Sequence, residues 1–333
     1  MSRTASVRLA YFGKVASRGD FVRSAHNGAL TQMLDQWLTQ GLELLSVDPQ
    51  WKHFYDQAEP THFAFLAARS HQTLAGHLVP SIDASGRRFP FVTTGAFEVE
   101  QPMAFMKHAP MALARLWTRL ESLARQACQA DDAAALLAGV GRQQSEIEVA
   151  PEAYAASFRD FVELQTMGSL EALLQTVHPG VSLRAVLLGL GMLLQPVPAS
   201  GKSQLDKGLR LPLPRDPLYA PMVAALWLHL VSPFLARGDF ELVVFSPGVP
   251  SGASGGGSPW LSIGFAGGAA STVQALFDPQ KADQAFVTLL APEWVEGQVA
   301  QDHAMKKLSS YLQQPQLSIA QALSTFTECF LGA

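Results

Sequence analysis

The chain has 333 residues, of which 48% are hydrophobic and only 16% charged, with a net charge of −4. That length and apolar share allow a substantial core in one large domain or two ordinary ones. The acidic balance and the lack of any basic block exclude the clustered Lys and Arg that displace counterions, so no nucleic-acid partner is expected.

Val7 to Phe12 reads as a first strand, and Gly13 to Asp20 as a polar loop after it. Leu30, Met33, Leu34, Trp37, Leu38, Leu42 and Leu45 then recur with helical spacing. They predict a helix from about Ala29 to Leu45, with Asn27 as its N-cap. Phe63 to Ala68, Thr73 to Val79 and Phe89 to Phe97 read as three strands. The last two are joined through Asp83-Ala84-Ser85-Gly86, a type I turn pattern whose Asp carboxylate accepts from backbone N–H groups two residues on. Pro110 to Ala130 predicts a long helix, Asp131 to Ala138 a short one, and Pro151 opens another reaching about Phe161. Leu183 to Leu194 and Tyr219 to Leu235 read as apolar helices, and Asp239 to Ser246 and Pro259 to Phe265 as strands. Thr272 to Phe277 fits strand or helix, and Ser251 to Ser258 is a Gly/Ser loop. Two helices close the chain, Gln301 to Leu312 and Ser318 to Leu331, the second with a Ser318/Gln321 capping box.

The Pro-rich segment 195–217 is either a boundary between two lobes or a long loop on one domain. Residues 1–10 hold Arg3 and Arg8 but no apolar core of a signal peptide. The longest apolar run, Ala185 to Leu194, is short of the roughly 20 residues a bilayer span needs. A cytoplasmic protein without membrane insertion is expected.

The motifs of catalysis and cofactor binding fail on inspection. Gly201-Lys202-Ser203 copies the tail of a phosphate-binding loop, but Pro196 stands where that motif needs glycine. Gly189-Leu190-Gly191 begins a dinucleotide pattern that Leu194 breaks. No Gly-x-Ser-x-Gly elbow is present, and Ser254 to Ser258 is too glycine-rich to hold a nucleophile in place. The nine histidines include no pair four residues apart with an acidic neighbour. Cys128 and Cys329 lack both disulfide-framework count and zinc spacing, and read as small core residues. The expectation is no catalytic residue, no metal ligand and no cofactor.

Two segments carry a family resemblance. Tyr11-Phe-Gly-Lys-Val-Ala-Ser-Arg-Gly-Asp-Phe-Val-Arg23 leads into the helix bearing Trp37, and Pro80-Ser81-Ile-Asp83 continues to Gly86-Arg87-Arg88-Phe89-Pro90. The first resembles the G-K-x-x-x-R-G-D-F-V signature of the TagF family of type VI secretion. The second is similar to its P-S-x-D-x-x-G-R-x-F-P element. The family's first helix bears two tryptophans; here Leu34 replaces the first. The resemblance spans roughly residues 7–97 and weakens beyond.

The resemblance implies an α/β sandwich with a central mixed or mostly antiparallel sheet flanked by helices on both faces. We expect a single unit over residues 1–333, its signature-bearing half in 1–150. It implies a non-catalytic, post-translational repressor of type VI secretion that binds the pathway's forkhead-associated scaffold protein. Some relatives are fused to a PP2C-type phosphatase; this chain lacks that domain's aspartate motifs, so any phosphatase in the pathway is a separate protein. A hydrolase with an unrecognised site, or a structural part of the apparatus, are the alternatives. The expected binding residues are Lys14, Arg18, Asp20, Ser81, Asp83, Arg87 and Arg88, which lie in polar loops at strand ends. The competing reading is that Arg18, Asp20, Asp83 and Arg87 only hold those loops together.

Overall fold

Alternation decides the first strand. In β1 (Thr4–Gly13), Val7 and Leu9 enter one core and Phe12, on the opposite side of the pleat, enters another. The computed structural model describes residues 3–24, 28–140, 143–248 and 257–332; the Asn27 cap and most of the Ser251–Ser258 loop lie outside them. After β1 come β2 (Val22–Arg23), α1 (Gly28–Ser46), α2 (Trp51–Gln57), β3 (Thr61–Ala67), β4 (Gln72–Val79), β5 (Phe91–Glu98), α3 (Pro102–Gln129), α4 (Ala134–Val140) and β6 (Gln144–Glu148). The second half holds α5 (Glu152–Leu164), α6 (Met167–Gln175), α7 (Leu183–Leu194), α8 (Val197–Ser200), β7 (Gly208–Pro212), α9 (Tyr219–Leu235), β8 (Glu241–Pro247) and β9 (Trp260–Gly264). It ends with α10 (Ala270–Phe277), α11 (Pro279–Ala285), β10 (Phe286–Thr288), α12 (Trp294–Gln301), α13 (His303–Leu312) and α14 (Ile319–Leu331).

The strands form one mixed sheet in the order β10-β7-β9-β8-β3-β4-β5-β1-β2, with β6 also paired to β1. Every pairing is antiparallel except β10 with β7. The halves join where β3 pairs with β8 from Thr61↔Pro247 to Ala67↔Glu241. On one face α3, α7, α9 and α14 enclose the main core around Trp117, Leu188, Trp227 and Phe326. On the other, α1, α2 and α10 cover a smaller core of Trp37, Phe63, Tyr55 and Phe277. The α/β sandwich with helices on both faces is therefore the observed architecture.

Several local expectations change. The long helix starts at Pro102, so Pro110 lies inside it. Proline costs an internal helix bond, but Phe105, Met106 and Leu113 on either side are fully buried and carry the helix through. Thr272 to Phe277 is helical, with Val273 and Phe277 packed in the smaller core beside α1. Segment 195–217 contains β7, whose Leu209 and Leu211 are buried in the sheet. The stretch Leu183–Ser200 is apolar enough by composition to cross a membrane, with mean hydropathy 1.3, yet 56% of it is buried within the fold, as in a core helix.

Candidate functional site

Both signature loops meet at one end of the sheet. Gly13 ends β1 with φ +129°, and a Cβ there would stand 2.0 Å from the Pro90 carbonyl oxygen, so only glycine lets the strand turn away. The turn that follows β4 is as its sequence suggests: Gly86 donates to the Asp83 carbonyl at 2.9 Å, and Ser85 N–H donates to Asp83 Oδ1 at 2.9 Å. The two loops are then tied directly. Ala84 N–H donates to the Arg18 carbonyl at 2.8 Å, and the Arg87 guanidinium donates to the Gly19 carbonyl at 2.6 Å.

Asp83 is the hub, with its side chain wholly buried. Oδ1 accepts from Ser85 N–H, Ser85 Oγ and Arg87 N–H, and Oδ2 from Lys14 Nζ at 2.9 Å and Arg87 Nε at 2.7 Å. Burial pushes the Asp83 carboxyl upward, but the bonds from Lys14, Ser85 and Arg87 outweigh it and hold it well below the usual carboxylate range. This exceeds the turn-capping role its sequence position suggests: the carboxylate is the buried counterion of Lys14 as well. Lys14, itself 7% exposed, also lies over the Phe21 ring at 4.9 Å.

The remaining expected binding residues are placed as follows. Arg18 pairs with Asp132 at 3.0 Å, and Asp20 accepts the Phe21 N–H at 2.8 Å while staying exposed. Ser81 exchanges two backbone bonds with the Tyr55 hydroxyl, accepting at 2.8 Å and donating at 2.9 Å. Arg88 grips Asp56 through two bonds of 2.8 and 2.6 Å; the Arg88 hydrogen bond lowers the Asp56 pKa. Tyr55 and Asp56 come from α2, which is too short to announce itself in the sequence.

Lys14 and Asp83 are buried, and what faces solvent is the rim. Gly19, Asp20, Phe21, Arg23, Ile82 and Ser85 to Arg87 are all exposed. Phe21 and Ile82, each 41% exposed, are the large apolar side chains of this rim. Phe21 is held in place by Phe12 and Phe89, at ring distances of 5.5 and 4.8 Å. The rim is a mixed polar and apolar surface.

A second cluster has no signal in the linear sequence. His62 on β3 and His77 on β4 are cross-strand partners, and their Nδ1 atoms lie 3.0 Å apart. Glu121 of α3 brings Oε2 to 3.4 Å from His62 Nε2, and its Oε1 accepts from Arg125 at 2.6 Å. Fifteen residues separate the two histidines, so a search for helical i, i+4 pairs passes over them.

Residues 10–140 match the family model described as "TagF N-terminal domain, Type VI secretion system-associated". That match takes in less than half of the 333 residues, and over it the α/β fold with its paired signature loops is similar to the TagF N-terminal domain. A solved structure, the crystal structure of PA0076 from Pseudomonas aeruginosa PAO1, is similar at 23% identity with a TM-score of 0.32. The likeness covers 40% of this chain and 61% of that one, so this chain spans less than two thirds of its length. No curated protein matches the chain.

Proposed function

We propose that this chain is a non-catalytic, cytoplasmic regulator that represses type VI secretion after translation by binding a protein partner. The partner in this reading is the forkhead-associated scaffold of the pathway, with any PP2C-type phosphatase acting as a separate protein. The observation that carries the proposal is the welding of both family signature segments, through Asp83, Lys14 and Arg87, into one rigid platform with an exposed rim. A preorganised rim loses little conformational freedom on binding. Asp20, Phe21, Arg23 and Arg87 supply the charge and apolar area that such a contact uses.

Repression by occupancy needs protein in amounts comparable to its target, whereas an enzyme acts at a small fraction of that. Expression is therefore titrated against secretion, with parallel capture of the scaffold. Deletion should raise secretion and excess protein should suppress it. Asp20→Ala and Arg23→Glu, both exposed changes, should weaken capture and repression together while leaving the fold intact. Full repression at far below equimolar protein, or repression persisting when scaffold capture is lost, overturns the reading.

A further inference from the structure

We propose that His62, His77 and Glu121 form a binding site for one divalent transition-metal cation of the zinc class. One ligand atom from each residue lies within 4.8 Å of those of the other two. Two nitrogens bound to tetrahedral zinc at about 2.0–2.1 Å stand roughly 3.3 Å apart. His62 Nε2 and Glu121 Oε2, 3.4 Å apart, already stand near that separation, whereas the 3.0 Å contact between the two Nδ1 atoms uses the other nitrogen of the His62 ring and belongs to the metal-free state. A cation held by all three residues needs the widest ligand separation, at most 4.8 Å, to close to about 3.3 Å.

The surroundings fix each ligand. Arg125 holds Glu121 Oε1, which leaves Oε2 turned toward His62; outer partners of this kind orient ligating carboxylates. The Trp117 ring stacks on His62 at 5.4 Å and 17°, and its indole N–H donates to the Phe63 carbonyl at 3.1 Å. Gly248 packs so closely that a Cβ there would stand 2.8 Å from His77 Cε1. Two imidazoles and one carboxylate favour Zn²⁺, Co²⁺ or Ni²⁺ over Mg²⁺ and Ca²⁺. Three protein ligands leave a fourth position for water. The cation ties β3 and β4 to α3, next to the seam where β3 joins the second half of the sheet. His62, with 12% of its side chain exposed, is the point of entry.

The same atoms also form a metal-free chain in which the two histidines share a hydrogen bond, and the experiment separates the two states. Untagged, chelator-stripped full-length protein is dialysed against Zn²⁺ and the bound metal counted, with Co²⁺ as a spectroscopic probe. One equivalent of zinc is expected at micromolar free concentration, with intense visible Co²⁺ bands of a four-coordinate site and no uptake of Mg²⁺ or Ca²⁺. His77→Gln and Glu121→Gln should each weaken binding by at least about tenfold. His53→Gln, at an exposed histidine, should leave it unchanged. If His77→Gln fails to fold, Glu121→Gln and His62→Gln decide the matter. No zinc uptake in the wild-type protein overturns the proposal, as does equal uptake in the folded ligand variants; the histidines are then only a buried hydrogen-bonded pair.

Discussion

Lys14 and Arg87 donate to the same oxygen of Asp83, yet replacing them should have very different consequences. Their distances to Oδ2 are nearly equal, 2.9 and 2.7 Å, so geometry alone does not rank them. Solvent does: the Lys14 side chain is 7% exposed and that of Arg87 59%. Attraction at a fixed distance is about fourfold stronger at an effective dielectric near 20 than in bulk water. Removing one half of a buried pair costs about 3–5 kcal/mol. Because Asp83 keeps its bonds from Ser85 and Arg87, Lys14→Met belongs at the lower end, about 3 kcal/mol. Arg87→Met removes an exposed partner and should cost at most about 1 kcal/mol. Molar salt should shrink the Arg87 cost further and leave the Lys14 cost nearly unchanged. Urea unfolding at neutral pH, with the slope checked for constancy, reads both. Equal losses for the two variants, or a Lys14→Met cost below about 1 kcal/mol, would show that burial does not set the strength of this ion pair.

Other expectations can be checked by the same means. Gly13→Ala places a Cβ against the Pro90 carbonyl at a φ that L residues avoid, and should cost more than about 2 kcal/mol in unfolding midpoint measurements. Ser318→Ala removes the capping-box acceptor of Gln321 N–H and should cost about 1 kcal/mol, readable as a lowered Tm. Burial is the main cause that lowers the His229 pKa, to about 4 from an ordinary 6.5. The unfolded chain then binds a proton that the folded one refuses, so this contribution is present above pH 6.5 and is lost as pH falls toward 4. Wild-type stability should drop by about 1.4 kcal/mol per pH unit in that window on account of His229, and His229→Gln should remove this part of the slope. Parallel stability curves for the two proteins from pH 7 to 4 would contradict it.

The amino-acid pattern by itself set most of the long elements and the turn at Asp83, though not the start of α3, which lies eight residues before the expected Pro110. Helices Leu183–Leu194 and Tyr219–Leu235 begin and end where hydrophobic periodicity and flanking residues place them, because a continuous apolar stripe must be buried whatever it packs on. Asp83 bonds its turn as its type demands, since that chemistry is local. Thr272 to Phe277 was ambiguous in sequence because six residues satisfy either period; packing beside α1 made it a helix. Strand β7 and helix α2 were not legible, being too short to carry a pattern of their own. Their stability comes from neighbours distant in sequence: β7 from β9 and β10, and α2 from the bond of Tyr55 to Ser81. The division of the signature residues into a buried pair, Lys14 with Asp83, and an exposed rim also belongs to the tertiary structure. So does the meeting of His62, His77 and Glu121, because a hairpin register and a helix crossing bring together residues that no linear spacing relates.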